Sequence, residues 1–346
     1  MKNIFLLRQT LIACMFVSFA GSNVLFGQFQ YASKYPDIPI VDVHVHANRA
    51  DEISKYIQLS DIIKDKYGSN LAFFVLVNEP EDSEETFKAA ANNRTLFAVS
   101  EMRPHLGLTV TPEEVISKVR NKGYVGFKFW FGDPRRVLQE GDEGMRRIDD
   151  PAFENLFSAL ERERVLMTCL HIADPNGPFG DRQVWMADPV VFWTQIRAFE
   201  NVVAKYPNLP IVAAHCAWLF CQDAQVDYLR YMLSTYPNLY IELSATFSYL
   251  YLLNPENLRD FFIEYQDRVL YGSDFSRPTE KTNLESMARQ YAVHFSILES
   301  DHEVVTGYRN SPTVRGLNLP KEVLEKIYYK NALKIYPGLK EAMGFK

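Results

Sequence analysis

The chain has 346 residues, 47% of them hydrophobic and 23% charged, with a formal charge of −6. That is ordinary globular composition with enough apolar mass for a large core, and the acidic balance lacks the basic footprint of a nucleic-acid binder. A small-molecule partner is expected, with the oligomeric state, a homo-oligomer included, left open.

Residues 1–27 read as a secretory signal: Lys2 and Arg8 supply positive charge, "LIACMFVSFAG" an apolar run, and small residues follow, with cleavage after Ala20 or Gly27. The run is too short and too interrupted for a membrane span, and Arg8 breaks the stretch ahead of Cys14, against a lipid anchor there. An exported product, periplasmic or secreted, is expected, with residues 28–346 as one catalytic domain. It keeps Cys169, Cys216 and Cys221, an odd number without CxxC spacing, so neither a disulfide framework nor a cysteine zinc site is indicated.

Apolar runs of strand length then recur with helical stretches between them: 38–45, 71–77, 95–102, 124–130, 164–171, 209–215, 239–245 and 268–274. Eight such runs predict a single (β/α)8 barrel of α/β class, the TIM barrel. Thr111 and Gly123 are placed to cap a helix over "PEEVISKVRNK", Asp150 and Pro151 to open another over "DPAFENLFSALERER", and the tail "PKEVLEKIYYKNALKIYPG" has the apolar spacing of a one-faced helix. Long interruptions follow the fourth, fifth and eighth runs, where barrel enzymes build substrate pockets.

The first run, "VDVHVHAN", puts His44 and His46 two apart, hence on one side of a strand, with Val41, Val43 and Val45 on the helix-facing side. An isolated HxH is more often a pair of hydrogen-bonded core histidines than a metal site. The rest of the chain reverses those odds. Of seven histidines, His44, His46, His171 and His215 all fall at the ends of predicted strands, and Asp274 ends the eighth. Five metal-competent groups converge on one barrel mouth. "GSD" alone could be a turn with a capping aspartate.

The ordered set "VDVHVH", "GFKFW", "LHIAD", "VAAHCAW", "LYGSDF" and "NALKIYPG" resembles the amidohydrolase superfamily, and within it the amidohydrolase-2, or aminocarboxymuconate-semialdehyde decarboxylase-like, family of metal-dependent hydrolases and decarboxylases. The resemblance spans nearly the whole mature chain. It implies that His44, His46, His171 and Asp274 hold one divalent metal, commonly zinc, with a bound water, and that His215 acts beside it as catalytic acid or base, Asp274 or His215 passing the proton onward. Lys128 points inward in "YVGFKFW". In binuclear relatives a carboxylated lysine on this strand bridges two metals, so a Lys128- and His215-bound second ion is the alternative.

The family's glycine-containing turn after the catalytic histidine is replaced here by "HCAWLFC", which puts the shape of that turn in question. Cys216 there is a candidate nucleophile, with buried structural cysteine the commoner reading. Arg103, His105, Arg182, Trp185 and Arg277 are candidates to hold a substrate carboxylate. Lys128, Trp130, Trp185, Trp218 and Phe275 are candidates to line the pocket, whereas His294 and His302 match no motif. The function expected is a metal-dependent hydrolase of a small amide, ester or lactone. The alternatives are a non-oxidative decarboxylase of a small carboxylic acid on the same scaffold, a metal-free lactonase and a non-catalytic binding barrel.

Overall fold

A computed structural model describes residues 29–78, 81–91, 94–102, 104, 107–132, 146–175, 189–308 and 311–345. The expected signal over residues 1–27, and the loop residues Arg103, His105, Arg182 and Trp185, lie outside this set. All elements belong to the unit Tyr31–Lys346.

The strands are β1 (Pro39–Val45), β2 (Asn70–Leu76), β3 (Thr95–Phe97), β4 (Val99–Glu101), β5 (Gly126–Phe131), β6 (Met167–Ile172), β7 (Ile211–Ala213), β8 (Leu239–Glu242) and β9 (Val269–Leu270). Neighbours pair in parallel throughout, in the orders β1-β2-β3 and β4-β5-β6-β7-β8-β9. β3 and β4 are one barrel strand broken at Ala98. Across the break Ala98 N donates to Leu76 O at 2.8 Å and Val125 N to Phe97 O at 2.9 Å, so the sheet continues on both sides. At the other seam Val43 N donates to Tyr271 O, Asp274 N to His44 O and His46 N to Phe275 O, with a parallel bridge between Val45 and Phe275. The eight strands form a TIM barrel.

One helix follows each strand: α1 (Ala50–Tyr67), α2 (Glu84–Ala90), α3 (Pro112–Lys122), α4 (Glu154–Arg162), α5 (Pro189–Lys205), α6 (Asp223–Thr235), α7 (Pro255–Glu264) and α8 (Leu284–Glu299). α3 carries the expected ends: Thr111 Oγ1 accepts from Glu114 N, the Glu114 carboxylate accepts from Thr111 N, and Gly123 closes the helix at φ 74°. Asp150 accepts from Ala152 N and opens the turn leading into α4.

Two features were not foreseen. An antiparallel hairpin, β10 (Glu303–Tyr308) and β11 (Ser311–Arg315), follows α8. The single C-terminal helix is α9 (Lys321–Glu325), a π-turn over Lys326–Lys330 and α10 (Asn331–Ile335), with α11 (Leu339–Ala342) after it. Its apolar face goes where its spacing requires. Ala332, Ile335, Tyr336 and Leu339 pack in one buried cluster with Val41, Val43, Val75, Cys169, Val212 and Leu270, closing the barrel interior from below.

That cluster also corrects the expected alternation in β1. Val41 and Val43 are in the interior cluster, while Asp42 faces the helix layer and accepts from Tyr291 Oη of α8 at 2.7 Å. The pairing of β1 with β2 shifts register between Asp42 and Val45. A bulge resets a strand's alternation, so His44 turns inward one residue after Val43.

Candidate metal and catalytic site

His44 and His46 lie at the end of β1, and Asp274 lies just past β9 with φ 61°. His46 Nε2 is 2.8 Å and His44 Nε2 3.3 Å from the same Asp274 Oδ1. The other nitrogen of each ring is engaged: His44 Nδ1 donates to Glu242 Oε1 at 2.9 Å, and His46 Nδ1 meets the Asn78 side-chain oxygen. A histidine with one nitrogen anchored on an oxygen acceptor offers the other as a lone pair, which is how metal-binding imidazoles are oriented. Two such nitrogens and a carboxylate oxygen, mutually within 4.8 Å, fit a divalent ion. A second group, His44, His215 and Glu242, meets the same distance condition.

Burial alone would raise the Asp274 carboxyl. Its contacts with His46, His215 and His44 outweigh it and hold the group well below the usual carboxylate range. His44 is pushed well below the ordinary histidine range by burial and by the positive charge of Lys128. Both effects favour a carboxylate facing neutral imidazoles, the protonation state that ligands need.

His215 opens a turn, Ala214–Trp218, in which His215, Cys216, Ala217 and Trp218 all have φ between 51° and 57°. This is how a chain without glycine makes the turn after β7: four consecutive left-handed residues. Glu242 stands beneath it, its Oε1 accepting from His215 N at 3.0 Å and its carbonyl from Cys216 Sγ at 3.4 Å. Burial pushes His215 well below the usual histidine range, so it is neutral.

His171 joins this group through His215. Its Nε2 donates to Ala173 O at 3.0 Å, which leaves Nδ1 as an acceptor 2.9 Å from His215 Nε2. His215 Nδ1 lies 3.0 Å from the Ser244 carbonyl and 2.8 Å from Ser244 Oγ, whose own proton goes to Glu242 Oε1 at 2.7 Å. Among the described residues, His171 is not grouped with His44, His46 and Asp274.

Lys128 Nζ lies 3.4 Å from His44 Nε2 and 3.5 Å from Cys169 Sγ, fully buried. Two residues along β5, the Trp130 ring packs against His171 with centroids 5.1 Å apart, and Trp218 stacks on His215 at 4.8 Å. Phe275 instead packs on Tyr291 and His294, and Arg277 pairs with Glu81 at the surface. Burial pushes the Cys216 thiol well above its ordinary range, which makes it a structural cysteine and a poor nucleophile. His294 is buried between Tyr271 and Tyr308, and His302 is exposed.

Three side chains that hold this arrangement were missed in the sequence. Glu242 and Ser244 stand on one side of "LYIELSA", and a lone acid in an otherwise apolar strand was the available signal. Asn78, directly after the second strand, carried none.

The sequence profile of the family described as Amidohydrolase matches residues 41–338. Similar solved structures include an uncharacterised TIM-barrel protein of Bordetella bronchiseptica, at 15% identity over 88% of this chain and 99% of that one, TM-score 0.48. Others are the 5-carboxyvanillate decarboxylase of Novosphingobium aromaticivorans with manganese and a nitrobenzoic acid, at 14% identity, 89% and 99% coverage and TM-score 0.46, and a zinc-bound amidohydrolase of Burkholderia multivorans, at 13% identity, 86% and 98% coverage and TM-score 0.45. No curated protein matches the chain. With the family profile spanning nearly all of the barrel, the chain belongs to the amidohydrolase family.

Proposed function

We propose that this chain is an exported, metal-dependent hydrolase of a small amide, ester or lactone. The carrying observation is the convergence of His44 Nε2 and His46 Nε2 on one Asp274 oxygen while their outer nitrogens are anchored on Glu242 and Asn78. His44, His46 and Asp274 hold the ion, zinc being the first to test, with His171 beside them. When bound, a divalent ion supplies Lewis acidity that polarises a carbonyl and makes water acidic near neutrality. His215, neutral and with its Nε2 2.9 Å from His171, can take a proton from water and hand it to a leaving group. Export follows removal of residues 1–27, the rest acting as one domain.

The test combines metal quantification with product analysis. His46→Ala is expected to empty the site, and His215→Asn to keep the ion while lowering kcat roughly 10²- to 10⁴-fold, the usual worth of a positioned acid or base. Full occupancy in His46→Ala would overturn the ligand assignment. Loss of metal in His215→Asn would make His215 a ligand of a second ion shared with Lys128. Release of CO₂ without addition of water would identify a decarboxylase.

A further inference from the structure

Helix α5 turns an unusual stripe to solvent. Its inner face is apolar, with Phe192, Ile196, Phe199 and Val203 buried, and the face opposite such a core ordinarily carries charged and polar groups. Here the outer stripe reads Val190, Trp193, Arg197 and Asn201, at spacings of three and four residues, with Val190 75% and Trp193 40% exposed. Arg147 and Asp149, just ahead of α4, complete the lining of an open groove of about 570 Å³. From Val190 to Asn201 the stripe runs about 16 Å at the helical rise. The volume is that of a small-molecule site, roughly 300–1,000 Å³, and none of the lining residues belongs to the metal and catalytic site.

The groove is held in shape by a buried carboxylate. Glu200, 3% exposed, accepts from Tyr228 Oη at 2.8 Å, Tyr236 Oη at 3.0 Å, Tyr231 Oη at 3.2 Å and an Arg197 N–H at 2.8 Å. Tyr228 in turn sets its ring edge-on to Trp193, with centroids 5.4 Å apart, so the exposed indole is backed by a fixed neighbour. Asp149 accepts from Arg147 Nε at 3.1 Å and from Asn201 Nδ2 at 2.9 Å. Each arginine thus meets one carboxylate, and the charges around the groove cancel. The other N–H groups of both guanidinium forks and the Asn201 side-chain oxygen have no partner among the described residues.

We propose that this groove binds a neutral oligosaccharide. A pyranose presents a C–H-rich face and a rim of hydroxyls that each donate and accept. The Trp193 ring suits the first, and the planar, forked groups of Arg147, Arg197, Asp149 and Asn201 suit pairs of neighbouring hydroxyls. A charged ligand gains nothing from a lining whose charges already cancel, and an open, elongated groove suits a chain of sugars better than a single enclosed molecule. Because Glu200 and Tyr228 fix Arg197 and Trp193 before a ligand arrives, little side-chain ordering is left to oppose binding. The groove stands apart from the metal centre, so its occupancy does not depend on the reaction assigned there.

Titration of the as-isolated protein with cellotriose, maltotriose and chitotriose, followed by saturation-transfer NMR, tests this without turnover. At least one of the three is expected to bind saturably. Trp193→Ala should weaken it at least about ten-fold, the loss typical of an aromatic anchor, and Trp193→Phe, which keeps a ring, should weaken it less. Asn201→Ala, at an exposed position, should weaken it about five-fold, as for one neutral hydrogen bond. His46→Ala should bind sugar as wild type does. No saturable binding of any trisaccharide, or wild-type affinity in Trp193→Ala, would overturn the proposal. So would loss of binding in His46→Ala, which would put the sugar at the barrel mouth, or a wild-type dimer that ignores sugar and dissociates in Trp193→Ala, which would make the stripe an interface between copies. If Trp193→Ala melts early, Asn201→Ala decides in its place. A protein that binds the trisaccharide yet hydrolyses nothing would sink the proposed reaction and leave this groove standing.

Discussion

Glu242 concentrates more of the site in one residue than any of the groups that face the mouth. Its Oε1 accepts from His44 Nδ1, His215 N and Ser244 Oγ, and its Oε2 from Ser244 N at 2.6 Å. It therefore fixes which nitrogen His44 presents and holds the first residue of the left-handed turn in place. Glu242→Gln keeps the shape but replaces one acceptor oxygen with an NH₂ that can face only other donors. Loss of such an anchor typically weakens metal binding by 10- to 100-fold, and chelator competition should show a rise of that order in the dissociation constant. An unchanged constant would mean that His44 is oriented by other contacts. The histidines themselves were legible because an imidazole is out of place at the end of an apolar strand, and four of seven share that position. Glu242 was not, because its meaning depends on partners such as His44, 198 residues away in sequence.

At the scale of elements, strands and helix ends were legible wherever one local force decides them: eight apolar runs became barrel strands, and Thr111, Gly123 and Asp150 cap as their chemistry dictates. The bulge in β1, the break at Ala98 and the turn after β7 were not, since each is set by register against a neighbour. That turn stores strain that can be measured. A left-handed L-residue costs roughly 1–2 kcal/mol, whereas a glycine there costs none of it. Ala217, at φ 51°, and Ala213, at φ −77°, are both fully buried. Ala213→Gly loses a buried methyl and gains chain entropy when unfolded, for a loss of about 1.5 kcal/mol. Ala217→Gly suffers the same losses but is relieved of the left-handed penalty, so its loss should be smaller by about 1 kcal/mol or more. Urea unfolding of the two variants gives this difference, and equal losses would remove strain from the account of the turn.

Across the whole molecule, the barrel was readable because eight periodic runs admit few architectures, and the tail was readable as a one-faced helix. Its place beneath the barrel was not, because an apolar face specifies burial but no particular partner. The hairpin β10–β11 is fastened to the barrel through His294 of α8, whose Nδ1 meets Tyr271 Oη at 3.2 Å and whose Nε2 meets Tyr308 Oη at 2.8 Å. Its ring also lies flat on Phe247, with centroids 3.9 Å apart. Burial lowers His294 from an ordinary value of 6.5 to about 3. The unfolded chain therefore takes up a proton near pH 6.5 that the folded chain refuses until about pH 3. Its contribution to stability is complete above pH 6.5 and is lost progressively as the pH falls towards 3, at about 1.4 kcal/mol per pH unit. Between pH 7 and pH 5 this amounts to about 2 kcal/mol. His44 and His215, also lowered by burial, titrate in the same sense, so wild type alone cannot isolate the effect. His294→Gln can: it should be less stable than wild type at pH 7 through lost stacking, yet lose about 2 kcal/mol less on going to pH 5. Urea unfolding of both proteins at the two pH values measures this, and parallel losses would show that His294 is already protonated in the folded barrel.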